Sequence, residues 1–233
     1  MRHETLSLQE LAEYLGRDQR ELQKLADRGR IPCRRVGGEW QFHSSEIAHW
    51  LESEMRHYSD GELAAVEQSQ QSTELDHALP VCSLISPETI AVPLEARTRR
   101  SVLESLVEVA GRTWKIWEPS AVLQAVLARE ELMSTAFDNG VAIPHPRQPL
   151  PDAIGEPVIA FGRTPNGIPF GAADNSLSDL FFLVVCKDSR THLHVLARLG
   201  RLLQTPGFLD ALRTAPDSQS AYSVIAAADK TIG

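Results

Sequence analysis

Two histidine-bearing stretches hold the side chains whose types and spacing could do chemistry. Residues 139–147 read Asn-Gly-Val-Ala-Ile-Pro-His-Pro-Arg and place His145 between two prolines. Residues 191–194, Thr-His-Leu-His, follow about 47 residues after it and open an amphipathic segment. A neutral imidazole nitrogen is a competent nucleophile near pH 7, and cationic side chains nearby can balance the charge of a group that it accepts. The pattern therefore indicates a phosphoryl group carried on nitrogen.

The local sequence restricts how each ring can be presented. Pro144 fixes its own φ, and Pro146 biases His145 towards extended backbone, so we expect a rigid support for His145. His192 and His194 lie two residues apart, about 200° around a helix, so only one of them can face His145. The free N–H groups at that helix start would also favour an anion.

Each histidine taken singly has an ordinary explanation. His145 alone is typical of a turn histidine bonded to backbone, and His192 and His194 are typical of partly exposed residues at a helix start. A metal site is not expected, because no carboxylate has a diagnostic spacing to the three rings and two of them diverge. We expect no cofactor.

Composition sets the class of protein. The chain has 233 residues, of which 42% are hydrophobic and 23% charged, as in ordinary globular proteins. A net charge of −8 gives no global case for nucleic-acid binding, so any such case must be local. Three scattered cysteines favour a reducing compartment. The N-terminus lacks an apolar signal core and the longest apolar run is seven residues, so we expect a cytoplasmic protein without membrane insertion.

The chain divides at a polar segment. Residues 56–80 are poor in large apolar side chains and rich in Gln, Ser and acids, and such a segment cannot bury enough surface to offset its chain entropy. We therefore predict a linker at 56–80, with some transient helix. It separates a module at 1–55 from a module at 81–233.

The front module shows start and stop signals for short helices and a hairpin. Ser7 and Glu10 have capping-box spacing, Gly16 ends that helix, and Asp18 caps the next. Residues 33–42 predict two short strands around a Gly-Gly turn, and Ser44 or Ser45 is expected to cap a last helix. The phrases Leu-Gln-Glu-Leu-Ala-Glu-Tyr-Leu-Gly, Arg-Gly-Arg-Ile-Pro and Arg-Arg-Val-Gly-Gly-Glu-Trp-Gln-Phe resemble the winged helix-turn-helix of excisionase and MerR-type DNA-binding families.

Basic side chains are concentrated where such a module approaches DNA. Residues 17–35 hold seven bases against three acids, a surplus of four, whereas residues 1–57 hold nine bases against ten acids. If double-stranded DNA binds, a dimer is expected, because one small module binds weakly. The alternative is a solvated charged face on a protein-binding helix-turn-helix. The candidates are Arg20, Gln23 and Lys24 for the major groove, and Arg34 and Arg35 on the wing for the backbone or minor groove.

The back module alternates helical and strand patterns. Its pattern predicts helices at 100–111, 119–129, 191–203 and 208–214, and strands at 141–143, 158–161, 168–170 and 180–185. The continuous apolar run at 180–185 should be a central strand covered on both faces. The predicted fold class is α/β, a mixed β-sheet flanked by helices and preceded by a small winged helix-turn-helix domain.

Four phrases of the back module, taken together, resemble a known family. They are residues 129–135 (Arg-Glu-Glu-Leu-Met-Ser-Thr), 140–145 (Gly-Val-Ala-Ile-Pro-His), 180–185 (Leu-Phe-Phe-Leu-Val-Val) and 192–196 (His-Leu-His-Val-Leu). In this order they look like the type 2 EIIA domain of the bacterial phosphotransferase system, of the fructose/mannitol type and within it the nitrogen-regulatory branch. The resemblance covers residues 84 to about 227.

The resemblance implies roles for three residues. His145 would accept a phosphoryl group from the phosphohistidine of the carrier protein HPr, with His192 and Arg129 as supporting groups; His194 would then face solvent or a partner. Arg129 could offer a planar fork to the phosphoryl oxygens. The family usually has Gly after the active histidine, whereas this chain has Pro146, which lacks an N–H to donate. Transfer slower than in the family, or use of the site as a stored signal, would follow.

Three hypotheses remain open from the sequence. The leading one is an EIIA-like sensor whose histidine phosphorylation alters DNA binding and transcription. The second is an EIIA component that passes phosphoryl groups to a sugar permease. The third is a non-phosphorylated interaction protein that binds partner regulators.

Overall fold

The computed structural model describes residues 5–70 and 79–232. Of these, residues 5–70 and 193–201 form a first compact unit, and residues 79–192 and 202–232 form a second. Within the described ranges, no helix is both long and apolar enough to cross a membrane. Residues 71–78, which belong to the predicted linker at 56–80, lie outside the described residues.

The first unit combines short helices with a three-stranded antiparallel sheet of order β1-β3-β2. The first strand was not predicted, because three residues are too few to show an alternating pattern. In chain order the elements are β1 (Thr5–Ser7), α1 (Leu8–Leu15), α2 (Gln19–Asp27), β2 (Arg34–Val36), β3 (Glu39–His43), α3 (Ser44–Glu54), a 3-10 turn (Met55–His57) and α4 (Asp60–Gln70).

The helix signals at the start of the chain are confirmed. The Ser7 N–H donates to the Glu10 carboxylate over 2.8 Å, and the Glu10 N–H donates to the Ser7 hydroxyl over 3.3 Å. Gly16 ends α1 at a φ of 61°, in the left-handed region that glycine adopts without strain. Asp18 then accepts two N–H groups of the first turn of α2. The tight turn between α1 and α2 follows from these caps.

The predicted hairpin is also confirmed, while the cap of α3 differs. Gly37 and Gly38 both have positive φ, as the turn between β2 and β3 requires. The prediction that Ser44 or Ser45 caps α3 is wrong, because α3 begins at Ser44 and the residue before it is His43, which makes no side-chain cap bond. The chain passes directly from β3 into α3, which leaves no residue between them for a serine cap.

Part of the predicted linker is a packed helix. Within α4, Leu63 is 1% exposed and Val66 is 3% exposed. Leu63 lies against Gly200, where an added Cβ would come within 3.0 Å of its side chain. Composition indicated a linker because Gly200, which packs against Leu63, is more than 120 residues away in sequence. For residues 60–70 the expectation of transient helix is therefore wrong.

The second unit is an α/β structure around a four-stranded sheet of order β4-β6-β7-β5. β4 is parallel to β6, β6 is antiparallel to β7, and β5 is parallel to β7. The elements are α5 (Val81–Leu84), a 3-10 turn (Pro87–Thr89), β4 (Ile90–Ala91), α6 (Arg99–Gly111), α7 (Pro119–Leu132), β5 (Val141–Ala142), β6 (Val158–Ile168), β7 (Ser178–Val185), α8 (Ser189–Gln204, whose residues 193–201 count with the first unit), α9 (Phe208–Thr214) and α10 (Ser218–Thr231).

The core of the second unit confirms most of the predicted elements. The run 180–185 is fully buried and lies inside the sheet, between β6 and β5. Side chains of α6 and α7 bury against β6 and β7, where each large apolar side chain contributes about 1.5–3 kcal/mol. The separate strand predicted at 168–170 is wrong: β6 continues through Ile168. Its register with β7 is irregular after Arg163, so residues 164–167 are a distorted stretch within one strand.

Candidate functional site

β5 determines where His145 lies. This strand has only two residues, Val141 paired with Leu180 and Ala142 with Phe181. Two residues beyond it, the carbonyl of Pro144 accepts the N–H of Val184 over 3.0 Å. The backbone immediately before His145 is therefore hydrogen-bonded to the buried central strand.

The His145 ring has a defined orientation. Its Nδ1 lies 2.7 Å from the carbonyl oxygen of Ile143. Because a carbonyl oxygen can only accept, Nδ1 carries the proton, and the lone pair of the neutral ring is on Nε2. The N–H of Ile143 in turn donates to the carbonyl of Thr135 over 3.3 Å. His145 is 3% exposed.

His192 is brought next to His145. The two ring centroids are 5.0 Å apart, and the ring planes meet at 55°. His192 lies in the first turn of α8, and its backbone N–H donates to the carbonyl of Asp188 over 3.1 Å. The two imidazoles predicted from residues 47 positions apart therefore form one pair.

The start of α8 differs from the expected anion site. The Asp188 carboxylate caps the helix, accepting the Thr191 N–H over 3.0 Å and its hydroxyl over 2.7 Å. A carboxylate already placed there takes up an N–H group and repels a second anion. The contribution expected from the helix terminus is correspondingly reduced.

His194 points away from the histidine pair, as the 200° separation requires. In the first unit its Nδ1 donates to the carbonyl of Glu67 over 3.2 Å, and the residue is 3% exposed. Of the two surroundings expected for His194, solvent or a partner, solvent is wrong. Its partner, Glu67, was not identified from the sequence because Glu67 lies in the segment assigned to the linker.

Arg129 is a buried residue at the end of α7. It is 1% exposed, and its Nη1 donates to the carbonyl of Met133 over 2.9 Å. The structure thus places the guanidinium on the turn that follows α7. A role for Arg129 in binding phosphoryl oxygens stays a prediction.

Glu130 supports the site and was not predicted. It is 2% exposed and accepts the N–H of Thr135 over 2.9 Å and its hydroxyl over 2.7 Å. Arg99 donates to the same carboxylate over 2.9 Å. Because the Thr135 carbonyl holds Ile143, whose own carbonyl holds His145, Glu130 supports the ring through two backbone steps. Sequence offered one signal, an acidic residue next to the predicted Arg129.

A second support lies at the other end of β5. The Arg213 guanidinium donates to both oxygens of Asp179, over 2.9 and 3.1 Å, and to the carbonyl of Asn139 over 2.6 Å. This contact with Asp179 raises the pKa of Arg213. Gly140 has a φ of 84°, and an added Cβ would lie 2.7 Å from the guanidinium. The turn into β5 is thereby fixed to the start of β7.

The five candidate DNA contacts are all exposed side chains of the first unit. Arg20, Gln23 and Lys24 share one face of α2, at i, i+3 and i+4. On β2, Arg34 and Arg35 alternate between opposite faces of the strand. The first lies 3.9 Å from Glu46, whereas the second donates to the Gly38 carbonyl and lies over the Trp40 ring at 5.4 Å.

The second unit matches a known family. Residues 83–228 match the family described as "Phosphoenolpyruvate-dependent sugar phosphotransferase system, EIIA 2". The chain belongs to this family. The EIIA domain makes up the main part of the second unit. Members of this family act as phosphoryl carriers. This confirms the α/β fold class and the resemblance drawn from the four phrases.

Individual relatives agree with the family assignment. The chain is 33% identical over 154 residues to the nitrogen regulatory protein of Bradyrhizobium diazoefficiens, a match of 64% of this chain and 95% of that protein. It is 28% identical to the fructose-specific EIIABC component of Bacillus subtilis, over 65% of this chain but only 24% of that protein. The fold is similar to the crystal structure of nitrogen regulatory protein IIA-Ntr from Neisseria meningitidis, with a TM-score of 0.56, 22% identity, and 62% and 98% of the two chains covered.

The front module has a match of its own. Residues 5–55 match a helix-turn-helix domain. The protein therefore joins a helix-turn-helix domain to an EIIA domain, as its sequence predicted.

Proposed function

We propose that His145 of this EIIA domain accepts a phosphoryl group on Nε2 from an HPr-type carrier protein. The observation that supports it is the bond from Nδ1 to the Ile143 carbonyl, which leaves the lone pair on Nε2. His192, with its ring centroid 5.0 Å away, is the neighbouring group able to donate to a phosphoryl oxygen. The match to the EIIA family supports phosphoryl transfer over another use of a histidine pair.

The proposed transfer exchanges one nitrogen–phosphorus bond for another and moves no ring proton. The Nε2 lone pair forms a bond to phosphorus while the nitrogen–phosphorus bond of the carrier breaks, which returns that electron pair to the carrier's ring. Positive charge develops on the ring of His145, and the Ile143 carbonyl stabilises it at Nδ1. Positioning and charge balance dominate such transfers. Pro146 offers no N–H to the phosphoryl group, so His192 and Arg129 are the proposed supporting groups.

Pro146 bears on the rate of the proposed transfer. It offers no N–H to the phosphoryl group, which favours slow transfer and a stored signal over rapid flux.

Incubation with phosphorylated HPr-type carrier tests the acceptor. Label should enter the wild-type protein and be absent from His145→Ala, and phosphorus NMR should show the Nε2 isomer of phosphohistidine. His57→Ala, which removes an exposed histidine of the first unit, is the matched control. Label retained by His145→Ala would mean that another histidine is the acceptor. No label in the wild type would leave the interaction protein as the function.

We further propose that the helix-turn-helix domain binds double-stranded DNA and that phosphorylation of His145 changes this binding, so that the protein regulates transcription. Exposed Arg20, Gln23 and Lys24 on one face of α2 and Arg34 on the wing support it. A homodimer would supply the two half-sites that a short module needs. Salt tests the electrostatic part of this binding: the affinity should weaken steeply between 50 and 200 mM salt.

An Arg34→Ala/Arg35→Ala variant separates DNA binding from protein binding. Its affinity for duplex DNA should fall, because two cations leave the wing. Unchanged affinity, or no binding by the wild type at low salt, would contradict the DNA proposal. Phosphoryl transfer onward to a sugar permease, with no effect on DNA, would instead support a transport component.

A further inference from the structure

A buried carboxylate in the first unit is shared by two arginines. Glu67 is 4% exposed; one of its oxygens accepts from Arg198, and the other accepts from Arg201 over 2.7 Å. Its backbone carbonyl accepts from His194 over 3.2 Å. Arg201 also contacts Asp60 over 3.0 Å. Glu67, His194, Arg198 and Arg201 are referred to below as the Glu67 clamp.

Three members of the clamp lie on one face of α8. His194, Arg198 and Arg201 lie at i, i+4 and i+7, so they share one face of this helix and meet one residue of α4. His192 is about 200° from His194, on the face that meets His145. One continuous helix therefore carries His192 in its first turn and the three arginine and histidine members of the clamp along its middle.

The far end of α4 holds the first helix of the helix-turn-helix domain. Gln70 donates to the carbonyl of Tyr14 over 2.6 Å. At Gly16, which ends α1, an added Cβ would lie 2.8 Å from Cβ of Ser69. Contact this close means that α1 and α4 move together or their packing changes.

We propose that Glu67 couples phosphorylation of His145 to the helix-turn-helix domain, by fastening α4 to α8. The inference rests on the proposed function, since it names the residue through which that regulation acts. It makes Glu67 a positioning residue that touches neither the phosphoryl group nor DNA. The proposed path follows the backbone of α8 from His192 to the clamp, and then α4 from Glu67 to Gln70, whose side chain donates to the Tyr14 carbonyl.

Charge is what starts the change. Phosphorylation adds about −1.5 to −2 charges near pH 7, beside the first turn of α8. The Asp188 carboxylate caps that turn, so the new charge repels it while attracting His192. In the proposed coupling, a displacement of this turn is passed along the backbone of α8 to the clamp. Because each oxygen of Glu67 accepts from a different arginine, α4 follows rather than slips, since releasing either arginine would cost the buried carboxylate one of its two ion pairs.

The ordinary alternative is that the clamp only stabilises the packing of α4. A stabilising role predicts that its loss lowers stability and leaves the effect of phosphorylation on DNA binding intact. The coupling role predicts that the effect itself disappears. The two are separated by measuring DNA affinity in both phosphorylation states.

The test uses the full chain and Glu67→Gln, which keeps the volume and removes the charge. The probe is a duplex selected from a randomised pool with unphosphorylated wild-type protein. Phosphorylation should change the wild-type affinity by about 5- to 150-fold, the usual range of coupling between sites. In Glu67→Gln the change should fall to roughly twofold or less, with His145 still labelled. Glu104→Gln, which removes a half-exposed carboxylate of α6, should keep the wild-type change.

The outcomes separate the two proposals. An unlabelled wild type, or a labelled wild type with unchanged DNA affinity, overturns the proposed function and this coupling with it. A wild-type effect that persists in Glu67→Gln overturns the coupling alone. If Glu67→Gln does not fold, amide hydrogen exchange of the wild type decides: phosphorylation should change exchange in residues 60–70, and unchanged exchange there overturns the proposal.

Discussion

Two backbone carbonyls, rather than charged neighbours on the same turn, set the tautomer and the position of His145. The Ile143 carbonyl selects the ring tautomer, and the Pro144 carbonyl anchors the chain to β7. Neither contact depends on which side chains those two residues carry, so the short motif needs a stiff backbone more than particular neighbours. His192 is the side chain that completes the pair.

Replacement of His192 tests its share in the transfer. In His192→Ala the label should still reach His145, but the transfer rate should fall by roughly 10²-fold, as when one preorganised donor is removed. The measurement is the initial rate of labelling by phosphorylated carrier. His57→Ala should label at the wild-type rate, and a His192→Ala rate equal to it would exclude a role for this ring.

Glu130 shows how much a buried acceptor can matter at the residue scale. In Glu130→Gln an amide group replaces one of two oxygens that serve the Thr135 N–H and hydroxyl. Each buried donor left unpaired costs about 1–3 kcal/mol, so the free energy of unfolding should fall by that amount or more. Urea unfolding measures it. The exposed neighbour changed in the same way, Glu131→Gln, should stay within about 0.5 kcal/mol of the wild type.

At the scale of elements, β5 is too short to hold its own register. Two ladder residues position the proposed acceptor, and supports at both ends supplement them. Arg213 and Asp179 fix the turn before the strand, while Val184 holds the carbonyl of Pro144 after it. A one-residue slip would turn His145 to the other face of the sheet. The supports are therefore as necessary as the strand.

Gly140→Ala tests the support before β5. Left-handed backbone costs a residue with a Cβ about 1–2 kcal/mol, and the new methyl group would also displace the Arg213 guanidinium. The free energy of unfolding should fall by at least that much, and labelling of His145 should slow. Gly111→Ala, in α6 with open space around its Cβ position, should be neutral or stabilise slightly. Equal stability of the two variants would contradict this account.

At the scale of the whole molecule, an acidic protein carries a local basic surface. The net charge is −8, yet residues 17–35 have a surplus of four bases. Any attraction to DNA is therefore short-ranged and strongly dependent on screening. The two family matches in one chain support the proposals of a phosphoryl site and a DNA-binding surface.

Lys24→Ala tests the local nature of that surface. Removing one phosphate contact should lower affinity similarly for all duplex sequences and reduce the slope of log affinity against log salt by about 1. Titration at several salt concentrations measures the slope. Arg100→Ala removes a cation that is exposed on the second unit, and its slope should match the wild type.

The sequence by itself determined features that depend on neighbours along the chain. The capping box at Ser7 and Glu10, the Gly-Gly hairpin, the helices and the stiff turn around His145 follow from local sterics and hydrogen bonding. The divergence of His192 and His194 follows from helix geometry alone. The two family matches, too, rest on sequence patterns that were readable from the chain.

Only the tertiary structure decided which distant residues meet. The pairing of His145 with His192, the capture of Thr135 by Glu130 and the packing of α4 through Glu67 all join residues that share no local pattern. Burial of His145 and Arg129 likewise depends on what covers them. Local sequence preferences do not specify these contacts, because contacts between distant residues form only when the whole core packs together.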